Sequence, residues 1–265
     1  MDTTVYPGSR IDRLPSVVRP AALLARAGYS LTVRLLRGTG LRLAMPFESD
    51  GIATKHNHGF DETPAFRKAY ARAVKAAGWD YGIPWRVHQM LWCAREARKV
   101  SGDFVELGTG RGFMMSAALA DYAGWEDDRR QLHLFDTFAS AWPGKDGNQD
   151  SAAPKSKYYA ESVDPVRANF AEWSRVEFHQ GDVFETIPRA DIGQIALLHI
   201  DHNPHPPEDF GQRTFWPRVA RGGVLLLDDY ASRGFEPQYS AMNKAAADLG
   251  INILTMPSGQ GIAIK

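Results

Sequence analysis

The fold class of this chain is decided by the stretch Phe104-Val105-Glu106-Leu107-Gly108-Thr109-Gly110-Arg111-Gly112. Its first four residues predict a short buried strand, and its three glycines predict a tight turn into an apolar helix that starts near Phe113. Glycine adopts positive φ without strain and lets a ligand approach the backbone closely. A strand, a glycine-rich turn and a helix in this order are typical of nucleotide-binding α/β folds, although purely structural turns share the pattern.

Further apolar runs complete the predicted sheet. They span residues 131–135, 176–179, 195–200, 224–227, 251–256 and 261–265. Helical stretches or long connections lie between most of these runs, and helices are also predicted over residues 65–77 and 84–99. This alternation predicts an α/β fold with a doubly wound, seven-stranded, mainly parallel Rossmann-like sheet that is closed by a terminal hairpin.

Residues 1–83 are predicted to form an N-terminal helical arm or cap, and residues 84–265 are predicted to form the main domain. The arm interleaves arginines with apolar pairs and contains few acids in its first part. Such a segment either packs on the domain or on a partner subunit, or lies on an anionic membrane surface. Its helix breakers are Pro15, Pro20, Gly28 and Gly38. They interrupt any long helix lying on a membrane, which favours the packed arm.

Composition excludes several classes of protein. The chain has 265 residues, enough for one embellished α/β domain, and its 44% hydrophobic content excludes wholesale disorder. Basic and acidic residues number 31 each, so the chain lacks the net positive charge of a general nucleic-acid binder. A single cysteine, Cys93, excludes an intrachain disulfide, and the sequence shows neither a signal-peptide pattern nor an apolar run of membrane length. We therefore expect a cytoplasmic enzyme that does not bind nucleic acid.

Acidic residues stand at the ends of the first three predicted strands: Glu106, Asp136 and, after Gly181, Asp182. In a doubly wound sheet, ligands bind beyond the carboxyl ends of the strands. Asp136 is suited to accept hydrogen bonds from a ribose diol, and Asp182 is suited to face an adenine edge. Taken singly, each acid is better explained as a helix cap or a loop residue. Their occurrence at successive strand ends favours a nucleoside site.

Three more carboxylates follow the next two predicted strands. Asp201 follows the run 195–200, and Asp228 and Asp229 follow the run 224–227. Because these strands are predicted neighbours, the carboxylates converge and repel one another, and a hard divalent cation is the usual remedy. Oxygen ligands suit Mg²⁺ or Mn²⁺ better than zinc. The alternative is that Asp228 or Asp229 caps the next helix while Asp201 binds a loop amide.

These motifs resemble those of class I S-adenosylmethionine-dependent methyltransferases. The quoted segments are V-E-L-G-T-G-R-G at 105–112, L-H-L-F-D at 132–136 and H-Q-G-D-V-F-E-T-I-P at 179–188. From about residue 84 onward the chain resembles the macrocin O-methyltransferase family of natural-product tailoring enzymes. The additional segments are V-R-A-N-F at 166–170, L-H-I-D at 198–201 and G-G-V-L-L-L-D-D-Y at 222–230.

The resemblance implies a set of site residues. S-adenosyl-L-methionine is expected to contact Glu106, Gly108, Thr109, Gly110, Gly112, Asp136, Thr137, Gly181, Asp182 and Val183. Mg²⁺ (or Mn²⁺) is expected at Asp201, Asp228 and Asp229. The family methylates hydroxyls of sugars on natural products. The predicted reaction is therefore an S_N2 transfer of the sulfonium methyl group to one hydroxyl of a vicinal pair on a small-molecule acceptor.

The general base does not carry over from the family. Macrocin-type enzymes have Asp-Gly-Asp with a nearby tyrosine after the fourth strand, whereas this chain has Asp201-His202-Asn203-Pro204-His205. Catechol-type enzymes place a lysine where Pro204 stands. His202 and His205 are candidate bases beside Asp201, since histidine titrates near neutral pH, and each is equally well explained as a loop residue.

Residues 137–165 form a long polar, glycine-rich connection that is typical of a lid over a site. Catechol and phenol acceptors fit the same predicted site as sugars, and a non-catalytic S-adenosylmethionine-binding module is a further alternative. An NAD-dependent oxidoreductase is disfavoured because the glycine spacing departs from G-x-G-x-x-G and no Tyr-x-x-x-Lys proton donor is found. The N-terminal arm and the family resemblance lead us to expect a homodimer or larger homo-oligomer.

Overall fold

The computed structural model describes residues 47–54, 56–139, 160–203 and 205–265. The predicted lid therefore lies mostly outside the described residues, as do the first 46 residues of the predicted arm and Pro204. The chain divides into two compact units, Met1–His58 and Gly59–Lys265.

The first unit contributes one described hairpin. Strands β1 (Phe47–Ser49) and β2 (Ile52–Thr54) pair in antiparallel fashion. Asp50 and Gly51 connect them with φ angles of 51° and 71°. An Asp-Gly pair with positive φ at both positions is typical of the tight two-residue hairpin turn.

The second unit begins with the two helices that the sequence predicts over residues 65–77 and 84–99. Helix α1 spans Pro64–Ala77, where the Thr63 side chain caps the first turn and Gly78 ends the helix in the left-handed conformation. Helix α2 spans Pro84–Ala97 and is two residues shorter than predicted. Helix α1 precedes residue 84, where the predicted main domain starts, and its buried residues pack in the same core as the sheet.

A seven-stranded sheet follows, in the order β5-β4-β3-β6-β7-β9-β8, and it confirms the predicted α/β architecture. The strands are β3 (Asp103–Leu107), β4 (Leu132–Asp136), β5 (Val176–Gln180), β6 (Ile195–Ile200), β7 (Val219–Leu227), β8 (Leu254–Thr255) and β9 (Gly261–Ile264). The helices between them are α3 (Phe113–Ala120), α4 (Val163–Phe170), α5 (Val183–Thr186), α6 (His205–Phe215) and α7 (Glu236–Leu249). Strands β3 to β7 pair in parallel, and β9 pairs antiparallel with β7 and β8.

Two strands differ from the sequence prediction by more than one residue at an end. Strand β7 starts at Val219, five residues earlier than predicted, because Gly222 and Gly223 interrupt the apolar run where the pairing with β6 shifts register. Strand β8 covers two residues of the predicted 251–256, since it pairs only with β9 at the sheet edge and Leu254 is exposed.

Alternate residues of the central strands supply two cores. Val224 and Leu226 of β7 face the core that contains α1, α2 and α3, and Leu225 and Leu227 face the core that contains residues of α7. A sheet buried on both faces explains the continuous apolar runs of the sequence. The chain runs outward from β3 to β5 and returns to β6, so the crevice between β3 and β6 is the switch point at which ligands bind in such folds. Within the described residues, every helix is too short or too polar to reach across a bilayer.

Candidate active site at the carboxyl ends of the strands

The glycine turn after β3 lies in direct contact with the end of β6. The Asp201 amide donates to the Leu107 carbonyl at 2.8 Å, which continues the pairing of the two strands past their ends. Gly108 has a φ of 86°, and a Cβ at this position would stand 2.0 Å from the Asp201 carbonyl oxygen. Only glycine fits such a contact, so the turn brings the predicted nucleoside residues beside the predicted metal residues.

Asp136, at the end of β4, holds the glycine turn in place. Its Oδ2 accepts a hydrogen bond from the Gly110 amide at 2.8 Å, and its Oδ1 accepts one from the Phe138 amide at 2.8 Å. The Thr137 hydroxyl also donates to Oδ1, at 3.3 Å. Asp136 therefore has a structural role that the sequence analysis did not assign, in addition to the predicted contact with a ribose.

Helix α4 supports the same turn from outside. The ring of Phe170 occupies the space in which a Gly112 Cβ would lie, 2.4 Å from the nearest ring atom. The Asn169 side-chain amide donates to the carbonyls of Ala76 at 2.8 Å and Arg111 at 3.2 Å. The V-R-A-N-F segment of the sequence thus stabilises the glycine turn, a role that the sequence analysis did not predict.

Asp182 caps the short helix α5. Its side chain accepts a hydrogen bond from the Phe184 amide at 3.0 Å, and Val183 begins the helix as a buried residue. The amide of Gly181 donates to the Asp136 carbonyl at 3.0 Å, so this turn lies next to the end of β4. The helix-cap interpretation accounts for these contacts, and the adenine contact of Asp182 remains a prediction.

Glu106 pairs with His199, a residue of β6 that the sequence analysis did not select. Glu106 Oε1 lies 2.9 Å from His199 Nδ1, and both side chains are fully buried. Burial raises the pKa of Glu106, and His199 partly offsets that rise. His199 Nε2 is buried and has no hydrogen-bond partner among the described residues. The signal was present in the sequence, because His199 precedes Asp201 by two residues and so shares its face of the strand.

His199, Asp201 and Asp228 bring one potential ligand atom each to within 4.8 Å of one another. The structure therefore places two of the three predicted metal residues together. Burial raises the pKa of Asp201 well above its ordinary value, and the carboxylates of Asp228 and Asp229 add to this effect. Excess negative charge at a buried site is the electrostatic condition that favours a bound cation.

Arg86, on helix α2, neutralises part of this charge. Its Nη1 lies 2.7 Å from Asp228 Oδ2 and 2.9 Å from Asp229 Oδ1. Gln260 donates to Asp228 Oδ1 at 2.6 Å, and Ser232 donates to Asp229 Oδ1 at 2.9 Å. The cluster is thus partly satisfied by side chains that the sequence analysis did not identify, the arginine among them.

The loop after β6 holds the predicted bases. Glu208 Oε1 accepts hydrogen bonds from the amides of His202 at 2.9 Å and Asn203 at 3.0 Å, while burial raises the pKa of Glu208 to about 8. Burial lowers the pKa of His202, and the carboxylates of Asp136 and Asp182 oppose that shift.

Asp136, one of the two carboxylates that oppose the lowering of the His202 pKa, also holds the glycine turn through Gly110. His202 Nε2 is buried and has no hydrogen-bond partner among the described residues. His205, the other predicted base, opens helix α6 and is partly exposed. Both histidines are therefore partly exposed as whole residues, and only the Nε2 atom of His202 is buried.

Comparisons with known proteins point to O-methyltransferases. The family model described as macrocin-O-methyltransferase (TylF) matches residues 84–252. A tetracenomycin-related rhamnosyl 4'-O-methyltransferase of Streptomyces olivaceus is 26% identical over 161 residues, which cover 55% of this chain and 60% of that relative. Demethyldecarbamoylnovobiocin O-methyltransferase of Streptomyces niveus is 25% identical over 196 residues, which cover 64% of this chain and 74% of that relative.

A solved structure shares the fold. The O-methyltransferase NovP superimposes with a TM-score of 0.59 at 20% identity and covers 89% of this chain and 97% of its own. The described architecture is therefore that of the Rossmann-like methyltransferase fold.

Proposed function

This chain belongs to the macrocin-O-methyltransferase family, and we propose that it transfers the methyl group of S-adenosyl-L-methionine to a hydroxyl of a sugar or another natural-product small molecule. The observation that carries the proposal is the contact of Gly108 with Asp201, because it joins a nucleoside-type glycine turn to an acidic cluster at one edge of the sheet. The relatives support the acceptor class, since their names describe methylation of a rhamnosyl group and of a novobiocin precursor.

The donor is proposed to bind across the glycine turn, with Glu106, Asp136 and Asp182 around it. Each Asp136 oxygen already accepts a backbone hydrogen bond, and a carboxylate oxygen has a second lone pair that can accept a ribose hydroxyl. Because the same carboxylate holds the turn, the ribose contact would be made by a group that is already fixed in position. Such preorganisation lowers the entropic cost of binding.

We propose that the acidic cluster binds Mg²⁺ or Mn²⁺ through Asp201, Asp228 and Asp229. The donor set fits: carboxylate oxygens are the preferred ligands of these ions, and His199, whose Nε2 has no partner among the described residues, offers a nitrogen that suits Mn²⁺. When bound, such an ion lowers the pKa of a coordinated hydroxyl and orients a vicinal pair. Arg86 would share Asp228 and Asp229 with the ion through their remaining lone pairs.

The chain's own residues then have separable roles. His202, whose buried Nε2 has no partner in the part of the chain that the structure describes, is proposed to accept the proton of the acceptor hydroxyl, with His205 and Asp201 as the other candidates. The Glu208 carboxylate fixes the backbone of the loop that carries His202. The segment 137–165 is proposed to exclude water from the reacting groups. We also propose a homo-oligomer, which light scattering on the full chain tests.

The test combines binding and turnover. S-adenosylhomocysteine is expected to raise the melting temperature and NAD is expected to leave it unchanged; stabilisation by NAD alone would overturn the proposal. Methyl transfer to a panel of glycosides, catechols and phenols is then measured with Mg²⁺ and with EDTA. Asp228→Asn is expected to lower metal-supported turnover at least about tenfold, whereas Asp191→Asn, an exposed control, is expected to retain it.

The panel also separates the alternatives. Turnover of catechols without turnover of glycosides would move the acceptor class to phenols. Binding of S-adenosylhomocysteine without turnover of any acceptor would favour the non-catalytic module. Full turnover in EDTA, together with an active Asp228→Asn variant, would refute the proposed metal dependence. The proposed methyl transfer would still stand.

A further inference from the structure

A second group of potential metal ligands lies near the β5 edge of the sheet, on β4 and the edge strand β5. His133 Nδ1 is 3.0 Å from His179 Nε2 and 3.5 Å from Glu177 Oε2. His179 Nε2 is 3.8 Å from Glu177 Oε1. The register pairs His133 with Glu177, and Glu177 and His179 share a strand face, so the backbone itself directs the three side chains together.

This cluster is separate from the candidate active site. His133 lies near the start of β4, three residues before Asp136, which corresponds to about 10 Å along a strand. The acidic cluster described above belongs to β6 and β7, on the far side of β3. The imidazoles therefore have no place in the proposed methyl transfer.

The separations match those of ligands around one metal ion. With metal–nitrogen distances of about 2.0–2.1 Å, adjacent ligand atoms lie about 3.0 Å apart in octahedral geometry and about 3.4 Å apart in tetrahedral geometry. Two of the three separations, 3.0 and 3.5 Å, fall near these values. The third, 3.8 Å, involves Glu177, whose side chain is 54% exposed and has room to rotate toward an ion.

A further carboxylate stands behind the cluster, where metal-bound histidines usually find one. Asp103 Oδ1 accepts a hydrogen bond from the Gln131 amide at 2.8 Å, which leaves Oδ2 3.6 Å from His133 Nε2. His133 is 1% exposed, and its Nε2 has no hydrogen-bond partner among the described residues. An Nε2 proton directed at Asp103 would leave the lone pair on Nδ1, the atom that faces His179 and Glu177.

The chemistry of the donors selects the ion. Two imidazoles and one carboxylate suit zinc and its neighbours in the first transition series, whereas Mg²⁺ prefers oxygen ligands. Without an ion, His133 Nδ1 and His179 Nε2 share at most one hydrogen bond.

We propose that His133, Glu177 and His179 form a binding site for a divalent transition-metal ion of the zinc class, with Asp103 orienting His133 and one position open to solvent. The ion would join the edge strand β5 to β4. Because Gly181 and Asp182 directly follow β5, the site would also steady the turn at which that strand reaches the candidate donor site.

The experiment uses Co²⁺ as a spectroscopic probe on the full chain, with saturating Mg²⁺ present to occupy oxygen-ligand sites. The expected result is one equivalent of bound Co²⁺ with visible d–d bands, displaced by Zn²⁺. Glu177→Gln and His179→Gln are expected to weaken Co²⁺ binding at least about tenfold, and Glu185→Gln, an exposed acid on α5, is expected to bind as the parent does.

Circular dichroism and S-adenosylhomocysteine binding show that each variant is folded. Buried His133 is left unchanged so that a folding defect does not imitate the loss of a ligand. Absence of Co²⁺ binding by the parent would overturn the proposal, as would undiminished binding by folded Glu177→Gln and His179→Gln.

Discussion

Gly108→Ala is the most direct test of the contact that joins the two halves of the candidate site. A Cβ at position 108 would lie 2.0 Å from the carbonyl oxygen of Asp201 and 2.5 Å from its carbonyl carbon. Both are backbone atoms, so no side-chain rotation relieves the overlap. Asp201 is further fixed by the hydrogen bond from its amide to Leu107, 2.8 Å long, so relief requires movement of the end of β6.

The expected loss has two parts. A φ of 86° at position 108 costs an L-residue about 1–2 kcal/mol. Overpacking against fixed atoms adds about 1–3 kcal/mol, for a total of roughly 2–5 kcal/mol in the free energy of unfolding. Gly78→Ala is the matched control, because Gly78 has a φ of 71° and a Cβ added there would meet nothing within 4 Å, so only the backbone part applies.

Urea denaturation of both variants measures the two losses, and calorimetric titration with S-adenosylhomocysteine measures the effect on the site. Gly108→Ala is expected to lose at least about 1 kcal/mol more stability than Gly78→Ala and to bind the ligand more weakly. Equal losses of stability with unchanged binding would show that the turn after β3 does not depend on contact with Asp201.

Three further outcomes follow from single contacts. Asn169→Ala is expected to lower the free energy of unfolding by about 1–3 kcal/mol in urea denaturation, because two partly buried carbonyls lose their donor; a change below about 0.5 kcal/mol would contradict this role. Cys93 is fully buried and its pKa is raised by burial, so Ellman's reagent is expected to leave the native protein unlabelled and to react in denaturant; rapid native labelling would be inconsistent with the core. Arg86→Gln is expected to cost roughly 3–5 kcal/mol in EDTA, since two largely buried acids lose their counter-ion, and Mg²⁺ is expected to restore part of that loss. The same deficit with and without Mg²⁺ would argue against an ion at the pair.

The strands were predictable where both faces are buried. The runs 104–107 and 195–200 read as continuous apolar segments because the sheet is covered on each side, and the observed strands agree within one residue. The start of β7 was not predictable from apolar pattern alone. Gly222 and Gly223 lie inside the strand at a register shift, yet in sequence they look like the preceding turn. Gly223 permits a close approach to the carbonyls of Ala196 and Ala220.

In the candidate site, too, some contacts were predictable from the sequence and others were not. Strand order alone predicts that Asp201 and Asp228 meet, because parallel neighbours end at one edge of the sheet. Arg86 reaches these acids from 142 residues away in sequence, and no local pattern indicates that contact. His199 was predictable as a site residue, because the period of two along a strand places it on the same face as Asp201.

At the proposed metal site, the charge balance of the acidic cluster makes a bound ion and a bound proton alternatives. Asp201, Glu208, Asp228 and Asp229 act on one another, and the structure sets the Arg86 guanidinium against the last two. Burial, and after it the neighbouring carboxylates, raises the pKa of Asp201, so in the metal-free protein a proton is the simplest way to neutralise it. A divalent ion must displace that proton to bind, so metal affinity at this cluster should rise with pH and proton release should accompany binding. A cation bound as proposed above would balance the charge that Asp201 adds to the two acids facing Arg86.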